Sequence, residues 1–278
     1  MSTWHGAPEP PQPIFGPSDW LRIALRGAPM GCVVFGGLAL TLVLRLIERP
    51  LFGMRRPVTP SITRCVCQAS LAILGIKVVR EGTPLQEPGA MVANHASWLD
   101  IFVLNAATNL YFVSKAEVAG WPGIGWLARA TGTVFIERDR RHAAAQARLF
   151  EARLRHGHRL LFFPEGTSTD GMRVLPFKTT LFEAFRTEGL SERMHLQSVA
   201  VIYHAPKSAR PDFYGWWGEM DFGPHLLRML AAKRHGSVTL VFAPPVAVGD
   251  FADRKALARH LEAELRARHE AALRQERL

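Results

Sequence analysis

Short apolar runs alternate with amphipathic stretches along most of the chain. The apolar runs predict strands, and stretches with apolar residues three or four positions apart predict helices. The predicted strands cover residues 76–80, 90–93, 110–113, 133–136, 159–163, 196–203 and 238–242. The predicted helices cover residues 98–107, 122–130, 141–156, 180–186 and 253–274. This alternation predicts the α/β class: one three-layer domain with a central mixed β-sheet flanked by helices.

An uncharged apolar segment, residues 27–44, lies near the N-terminus with arginines on both sides. It is just long enough to cross a bilayer, which takes about 20 residues, although Pro29 weakens that interpretation. The heavier positive flank follows the segment, so a spanning helix would leave the rest of the chain in the cytosol. A tilted or half-inserted anchor is equally compatible. We predict a disordered leader over residues 1–18, a membrane-anchoring helix within 19–60 and the main domain over 61–278.

The composition favours a protein that works at a membrane surface. The chain has 278 residues, enough for one α/β domain with an appended segment, and 48% of them are hydrophobic. Its net charge is +10, which favours an anionic partner such as a lipid surface, an acidic carrier protein or a phosphorylated donor. We expect a membrane partner and no nucleic acid.

The sequence lacks the residue patterns of several common enzyme chemistries. The sequence has no Gly-x-Ser-x-Gly and no Gly-x-x-x-x-Gly-Lys, which disfavours a serine hydrolase and an ATP-using enzyme. Cys65 and Cys67 are only two positions apart, and Cys32 lies in the apolar segment. We therefore expect free thiols and no structural metal site.

The strongest candidate site is the run Asn-His-Ala-Ser-Trp-Leu-Asp at residues 94–100, directly after the predicted strand 90–93. Asp100 falls in the first turn of the next predicted helix, where its carboxylate can reach one ring nitrogen of His95. The other nitrogen can then take a proton as a general base. The motif supplies no nucleophile. It therefore predicts activation of a hydroxyl group on a bound acceptor.

Two further predicted strands lead into charged residues. Arg138 follows the strand 133–136, and Glu165 follows the strand 159–163. Open α/β sheets bind ligands beyond the carboxyl ends of their strands, so we expect both side chains near His95.

In their order and separation, these three runs resemble the first three motifs of the glycerolipid acyltransferase family, which includes bacterial 1-acylglycerol-3-phosphate acyltransferases. The resemblance covers about residues 76–242 and makes 61–278 the acyltransferase domain. It implies an acyl thioester of acyl carrier protein or coenzyme A as co-substrate, with no other cofactor and no metal. It implies a lysolipid hydroxyl as acceptor. The implied location is the bacterial cytoplasmic membrane, with the catalytic domain on its cytosolic face.

The resemblance also implies roles for individual residues. His95 would be the general base and Asp100 its orienting partner. Arg138, with Glu165 and Gly166, would hold the acceptor head group and shape the site. Backbone N–H groups of the turn 165–167, or at the start of the helix after Asn94, are candidate donors to the tetrahedral oxyanion.

The third motif departs from the family pattern after Thr167. An arginine that is thought to grip the acceptor phosphate usually follows, whereas this chain continues Ser-Thr-Asp-Gly at 168–171. Arginine matches phosphate geometry best, so its absence favours an acceptor without glycerol phosphate. The run 163–178, with the runs 216–221 and 224–226 downstream, is similar to the lyso-ornithine lipid acyltransferase branch of the family, so we predict lyso-ornithine lipid as acceptor. Lysophosphatidate stays open, because Arg173 or Lys178 could meet a phosphate.

Two alternatives from other classes also stay open. A thioesterase would use the same His95 and Asp100 to activate water. A non-catalytic lipid-binding protein would keep the fold and bind anionic lipid. The set of His95, Asp100, Arg138 and Glu165 disfavours the non-catalytic alternative, and only the resemblance disfavours a thioesterase.

Overall fold

The central element is a mixed β-sheet. The computed structural model describes residues 3–87, 89–136, 143–185, 191 and 194–276. Within that part of the chain, eight strands form one sheet in the order β1-β7-β6-β2-β5-β3-β4, with β8 paired to β6. The strands are β1 Lys77–Glu81, β2 Gly89–Ala93, β3 Tyr111–Lys115, β4 Val134–Ile136, β5 Leu160–Phe162, β6 His195–His204, β7 Ser237–Phe242 and β8 Val246–Ala247.

Most strand pairs are parallel, and β2 lies at the middle of the order between β5 and β6. The pairs β6–β7 and β6–β8 are antiparallel, so the sheet is mixed as predicted. All five residues of β2 are buried. Parallel strands that are covered on both faces consist of continuous apolar residues. Such apolar runs in the sequence therefore predicted the seven strands β1 to β7.

Helices cover both faces of the sheet. The helices are α1 Pro17–Phe52, α2 Thr59–Leu74, α3 Leu99–Ala107, α4 Ile124–Thr131, α5 Ala143–Arg155, α6 Phe222–Ala231 and α7 Arg254–Glu276. One core cluster joins Met91 of β2 to α2, α3 and α6, and a second joins Val92 to α5 and α7. Neighbouring residues of β2 thus point into opposite layers, which confirms the three-layer α/β fold.

Several elements of the structure differ from those predicted. The predicted helix 180–186 is a 3₁₀ helix, Thr179–Phe185, in which Phe182 and Phe185 are buried. The two-residue strand β8 is too short to leave a periodic signal. Helix α6 lies within a stretch whose many aromatic residues hid its apolar period.

The first helix, α1, is longer than the apolar segment that predicted it. Among the described residues, α1 is the helix whose length and apolar composition would allow it to cross a membrane. Pro29 and Pro50 lie inside it without ending it. Most of its large apolar side chains are exposed, including Phe35, Leu40 and Leu46.

Both halves of α1 are tied to the rest of the domain. Arg22 and Arg26 donate hydrogen bonds to backbone carbonyls at the C-terminal end of α6. Near the other end, the buried Glu48 accepts hydrogen bonds from the backbone N–H groups of Val58 and Thr59 and from the Thr59 hydroxyl. Glu48 therefore satisfies the N-terminus of α2, as a capping residue does.

Residues 3–16, the described part of the leader before α1, form no helix or strand yet make tertiary contacts. The ring of Trp4 lies edge-on to Trp217 at 6.3 Å, and Trp217 Nε1 donates to the carbonyl of Ala7 at 3.2 Å. The Glu9 carboxylate accepts the backbone N–H of Glu219. We expected disorder from the proline content, which gave no sign of these contacts.

Candidate active site

The site begins where β2 ends, at Asn94. The Asn94 amide donates to the carbonyl of Val201 at 2.9 Å and accepts the backbone N–H of Val201 at 2.8 Å. The side chain therefore bonds β6 as another strand residue would. It holds the next residue, His95, at the carboxyl edge of the central strand.

His95 and Asp100 meet as predicted. His95 Nδ1 lies 2.7 Å from Asp100 Oδ2, and the Asp100 side chain is fully buried while that of His95 is 20% exposed. A carboxylate only accepts hydrogen bonds, so Nδ1 carries the hydrogen and Nε2 is left to take a proton. The imidazole also stacks on the Phe163 ring at 4.1 Å, which restrains its rotation.

The Asp100 carboxylate has three further donors. Oδ2 accepts the backbone N–H groups of Ala96 and Ser97 at 2.9 and 3.1 Å, and Oδ1 accepts the Tyr203 hydroxyl at 2.7 Å. These bonds compensate the buried charge, which would otherwise be costly. The backbone N–H groups of Ala96 and Ser97 are therefore already occupied, which removes these two as oxyanion donors.

Glu165 lies directly behind the dyad, in the turn after β5. It is 2% exposed, and its two oxygens accept the backbone N–H groups of His95 and Leu175 at 2.8 and 2.9 Å. Burial raises the pKa of Glu165 to about 8, and the two backbone hydrogen bonds oppose that shift. Its contacts are thus with the backbone on either side of the site.

The loop after Glu165 wraps around His95. Gly166 has a φ of 73°, and a Cβ there would meet the Lys178 side chain at 2.8 Å, so glycine suits the conformation and the approach of Lys178. Thr169 donates its backbone N–H to the carbonyl of His95 at 2.9 Å. Thr167, between them, is partly buried. In the described part of the chain, the backbone N–H groups of Thr167 and Ser168 have no hydrogen-bond partner.

Arg173 lies at the end of the same loop and is paired. Its guanidinium donates to both oxygens of Asp170, at 3.2 and 2.8 Å, and lies 5.0 Å above the Trp4 ring. Asp170 is buried, whereas the Arg173 side chain is 47% exposed. The loop thus presents a cation held by a carboxylate and an aromatic ring of the leader.

The structure brings His95, Asp100, Glu165, Gly166 and Thr167 together, with Lys178 against Gly166. Arg138 lies outside the described residues, so its predicted place beside them stays a prediction.

Sequence reasoning missed the aromatic and polar residues that frame the dyad. Trp98 Nε1 donates to His225 Nδ1 at 2.9 Å, and burial lowers the pKa of His225 to about 4, so His225 is a neutral acceptor. The backbone N–H of Trp216 bonds the carbonyl of Ala96, and the Trp216 ring meets the half-exposed Trp121 at 6.4 Å. Helix α6 and the loop before it carry His225 and Trp216. The sequence marked that region as similar to the lyso-ornithine lipid acyltransferase branch, but not as part of the site.

A three-layer α/β domain with a His–Asp pair at the end of its central strand fits the class of enzymes that transfer acyl groups. Residues 75–201 match the protein-family model described as Acyltransferase. The lyso-ornithine lipid O-acyltransferase of Rhodobacter capsulatus is 56% identical over 95% of this chain and 95% of its own length. The chain belongs to the acyltransferase family, which confirms the resemblance predicted from the motifs.

Other relatives and a solved structure agree with that membership. The lyso-ornithine lipid O-acyltransferase of Brucella abortus is 40% identical over 70% of this chain and 74% of its own length. The 1-acyl-sn-glycerol-3-phosphate acyltransferase of Neisseria gonorrhoeae is 32% identical over 70% and 74%, respectively. The crystal structure of the 1-acyl-sn-glycerophosphate acyltransferase PlsC from Thermotoga maritima shares the fold, with a TM-score of 0.63, 20% identity and coverage of 91% of this chain and 95% of that one.

Proposed function

We propose that the protein transfers a fatty acyl group from an acyl thioester to the free hydroxyl of lyso-ornithine lipid, giving ornithine lipid. The observation that carries the chemistry is the 2.7 Å contact between His95 Nδ1 and the buried Asp100 carboxylate. The 56% identity to a lyso-ornithine lipid O-acyltransferase over nearly the whole of both chains supports the acceptor. The donor is acyl carrier protein or coenzyme A carrying the acyl chain.

His95 acts as the general base in this proposal. Its Nε2 takes the proton of the acceptor hydroxyl while that oxygen attacks the thioester carbonyl, and Asp100 stabilises the imidazolium. The tetrahedral intermediate then expels the thiolate, which receives the proton from His95. The backbone N–H groups of Thr167 and Ser168 are the candidate oxyanion donors, since those of Ala96 and Ser97 are bonded to Asp100.

The head-group site is proposed from the loop after Glu165. Ornithine lipid presents a carboxylate and an ammonium group in place of a phosphate. Arg173 and Lys178, with Arg138, supply cations for the carboxylate, and the Asp170–Arg173 pair already combines a half-exposed guanidinium with a buried carboxylate. This arrangement suits a zwitterionic head group better than a phosphate dianion. A phosphate dianion is bound best by an arginine that has no competing carboxylate beside it.

We propose that α1 rests in the cytosolic leaflet of the bacterial inner membrane. A 36-residue helix is about 54 Å long, well over the ~30 Å of a bilayer core. Arg22 and Glu48, near its two ends, both contact the same domain. This favours the half-inserted alternative over a span and leaves the exposed apolar face for lipid.

The test is a product analysis with purified protein in detergent. A labelled acyl-carrier-protein thioester is supplied with lyso-ornithine lipid or with lysophosphatidate in separate reactions. Label in ornithine lipid, absent with His95→Ala, supports the proposal. Label in phosphatidate alone would make the protein a 1-acylglycerol-3-phosphate acyltransferase. Free fatty acid without acylated lipid would indicate a thioesterase.

A further inference from the structure

The hydroxyl group of Tyr203 is a buried polar group that the mechanism above leaves unused. It lies 2.7 Å from Asp100 Oδ1, and Tyr203 is 6% exposed. Asp100 is completely buried, so water does not compete for this hydrogen bond. Tyr203 reaches the dyad from β6, whereas His95 and Asp100 come from the segment between β2 and α3.

The two oxygens of Asp100 have separate sets of donors. Oδ2 accepts from the His95 ring and from the backbone N–H groups of Ala96 and Ser97, all within its own segment. The donor to Oδ1 is Tyr203, 103 positions further along the chain. Anchoring both oxygens fixes the rotation of the carboxylate, and that rotation sets the direction in which the His95 ring is held.

Tyr203 can only donate in this position. Burial, with the negative charge of Asp100 acting in the same direction, raises the pKa of Tyr203 well above its ordinary value near 10. The phenol therefore keeps its proton at the pH of the cytosol.

The position of Tyr203 is itself fixed by the fold. Asn94 makes two hydrogen bonds to Val201, two residues earlier on the same face of β6. The Tyr203 ring packs against Tyr214 with 5.1 Å between the ring centroids. The residue just before His95 thus sets the register of the strand that carries Tyr203.

We infer that Tyr203 is a positioning residue for acyl transfer: its hydroxyl holds the Asp100 carboxylate in the orientation in which that carboxylate directs His95. The inference rests on the proposed function. Tyr203 acts through Asp100 and touches neither substrate, so loss of its hydroxyl affects turnover rather than substrate binding. The carboxylate that loses this donor also becomes a stronger acceptor for the His95 Nδ1–H.

Tyr203→Phe tests this inference because it removes the hydroxyl and keeps the ring. We expect kcat to fall about tenfold, while KM for donor and for acceptor stays within about twofold. In protein labelled with ¹⁵N-histidine, the His95 Nδ1–H proton signal should move downfield. The NMR signal reports on the dyad even if no acyl transfer occurs, so a failure of the proposed function can be told from a failure of this inference.

Tyr214→Phe is the matched control. Its hydroxyl accepts the backbone N–H of Gly236 at 2.8 Å and lies 3.2 Å from the ring nitrogen Nδ1 of His235, away from the dyad. We expect Tyr214→Phe to keep the kcat and the His95 NMR signal of the parent. Thermal unfolding of both variants checks that they fold. The inference is overturned if Tyr203→Phe keeps the parent's kcat and NMR signal. It is equally overturned if Tyr214→Phe gives the same losses, since the role of Tyr203 would then be general packing.

Discussion

A single buried carboxylate, Asp100, organises the site at the residue scale. It joins the His95 ring to the helix start and to β6 through four hydrogen bonds. Glu165 holds the backbone in a similar way, because its two carboxyl oxygens accept the N–H groups of His95 and of Leu175 in the loop. The dyad is thus held by buried groups.

Replacement of His95 by alanine should remove the general base. General base catalysis contributes about 100- to 10,000-fold, so we expect His95→Ala to lose at least that much acyl-transfer rate. His156→Ala is the control, because His156 is exposed directly after α5 and its Nδ1 bonds the Ala152 carbonyl of that helix. Rates near the parent's in His95→Ala, with the same unfolding temperature, would contradict the assignment.

Glu165 should make the stability depend on pH. Its pKa rises from 4.5 to about 8 on folding because the carboxyl group is buried. The folded protein therefore holds a proton that the unfolded chain releases, and the free energy of unfolding falls as pH rises from 4.5 towards 8. The free energy of unfolding, measured with urea, should fall less between pH 5 and pH 8 for Glu165→Gln than for the parent. An equal loss in both proteins would rule out this role.

At the scale of secondary-structure elements, the active site depends on where strands end. β2 and β5 are parallel neighbours, so their carboxyl ends place His95 and Glu165 side by side. β6 brings Tyr203 from the other side of β2. Asn94 links β2 and β6 at that edge.

Asn94→Ala should destabilise this edge of the sheet. It leaves the buried N–H and carbonyl groups of Val201 without their bonds to the Asn94 amide, at a cost of about 2 kcal/mol or more. Asn109→Ala is a matched control, since the amide oxygen of Asn109 is buried and has no hydrogen-bond partner among the described residues. Equal urea midpoints for Asn94→Ala and the parent would show that the bridge contributes nothing.

Much of this arrangement is predictable from sequence. Buried parallel strands leave continuous apolar runs, and the spacing of His95 and Asp100 is set within one loop and one helical turn. Contacts between distant segments leave no local pattern, which is why Tyr203, His225 and Trp216 were missed. The contact of Arg173 with Trp4 also depends on the path of the leader, which its prolines did not reveal.

At the scale of the whole molecule, the domain carries its apolar helix along one side. The exposed face of α1 and the net charge of +10 suit an anionic lipid surface. A lipid acceptor held in that surface would lie close to an enzyme anchored in the same leaflet.

The half-inserted orientation of α1 predicts that both of its ends face the cytosol. We would introduce Ser18→Cys and Arg55→Cys separately, after the three native cysteines are replaced by serine. In sealed inverted vesicles, an impermeant maleimide should label both positions as well as Lys255→Cys, the control in α7. Protection of Ser18→Cys alone, reversed on adding detergent, would show that α1 spans the bilayer.

The most direct test of the central claim is a competition within one reaction. Equimolar lyso-ornithine lipid and lysophosphatidate share the same vesicles, a labelled acyl-carrier-protein thioester is the donor, and ornithine lipid, phosphatidate and free fatty acid are resolved together. We predict that most of the label enters ornithine lipid and that His95→Ala abolishes its transfer. Label that enters phosphatidate in preference, or that appears only as free fatty acid, would contradict the proposed function.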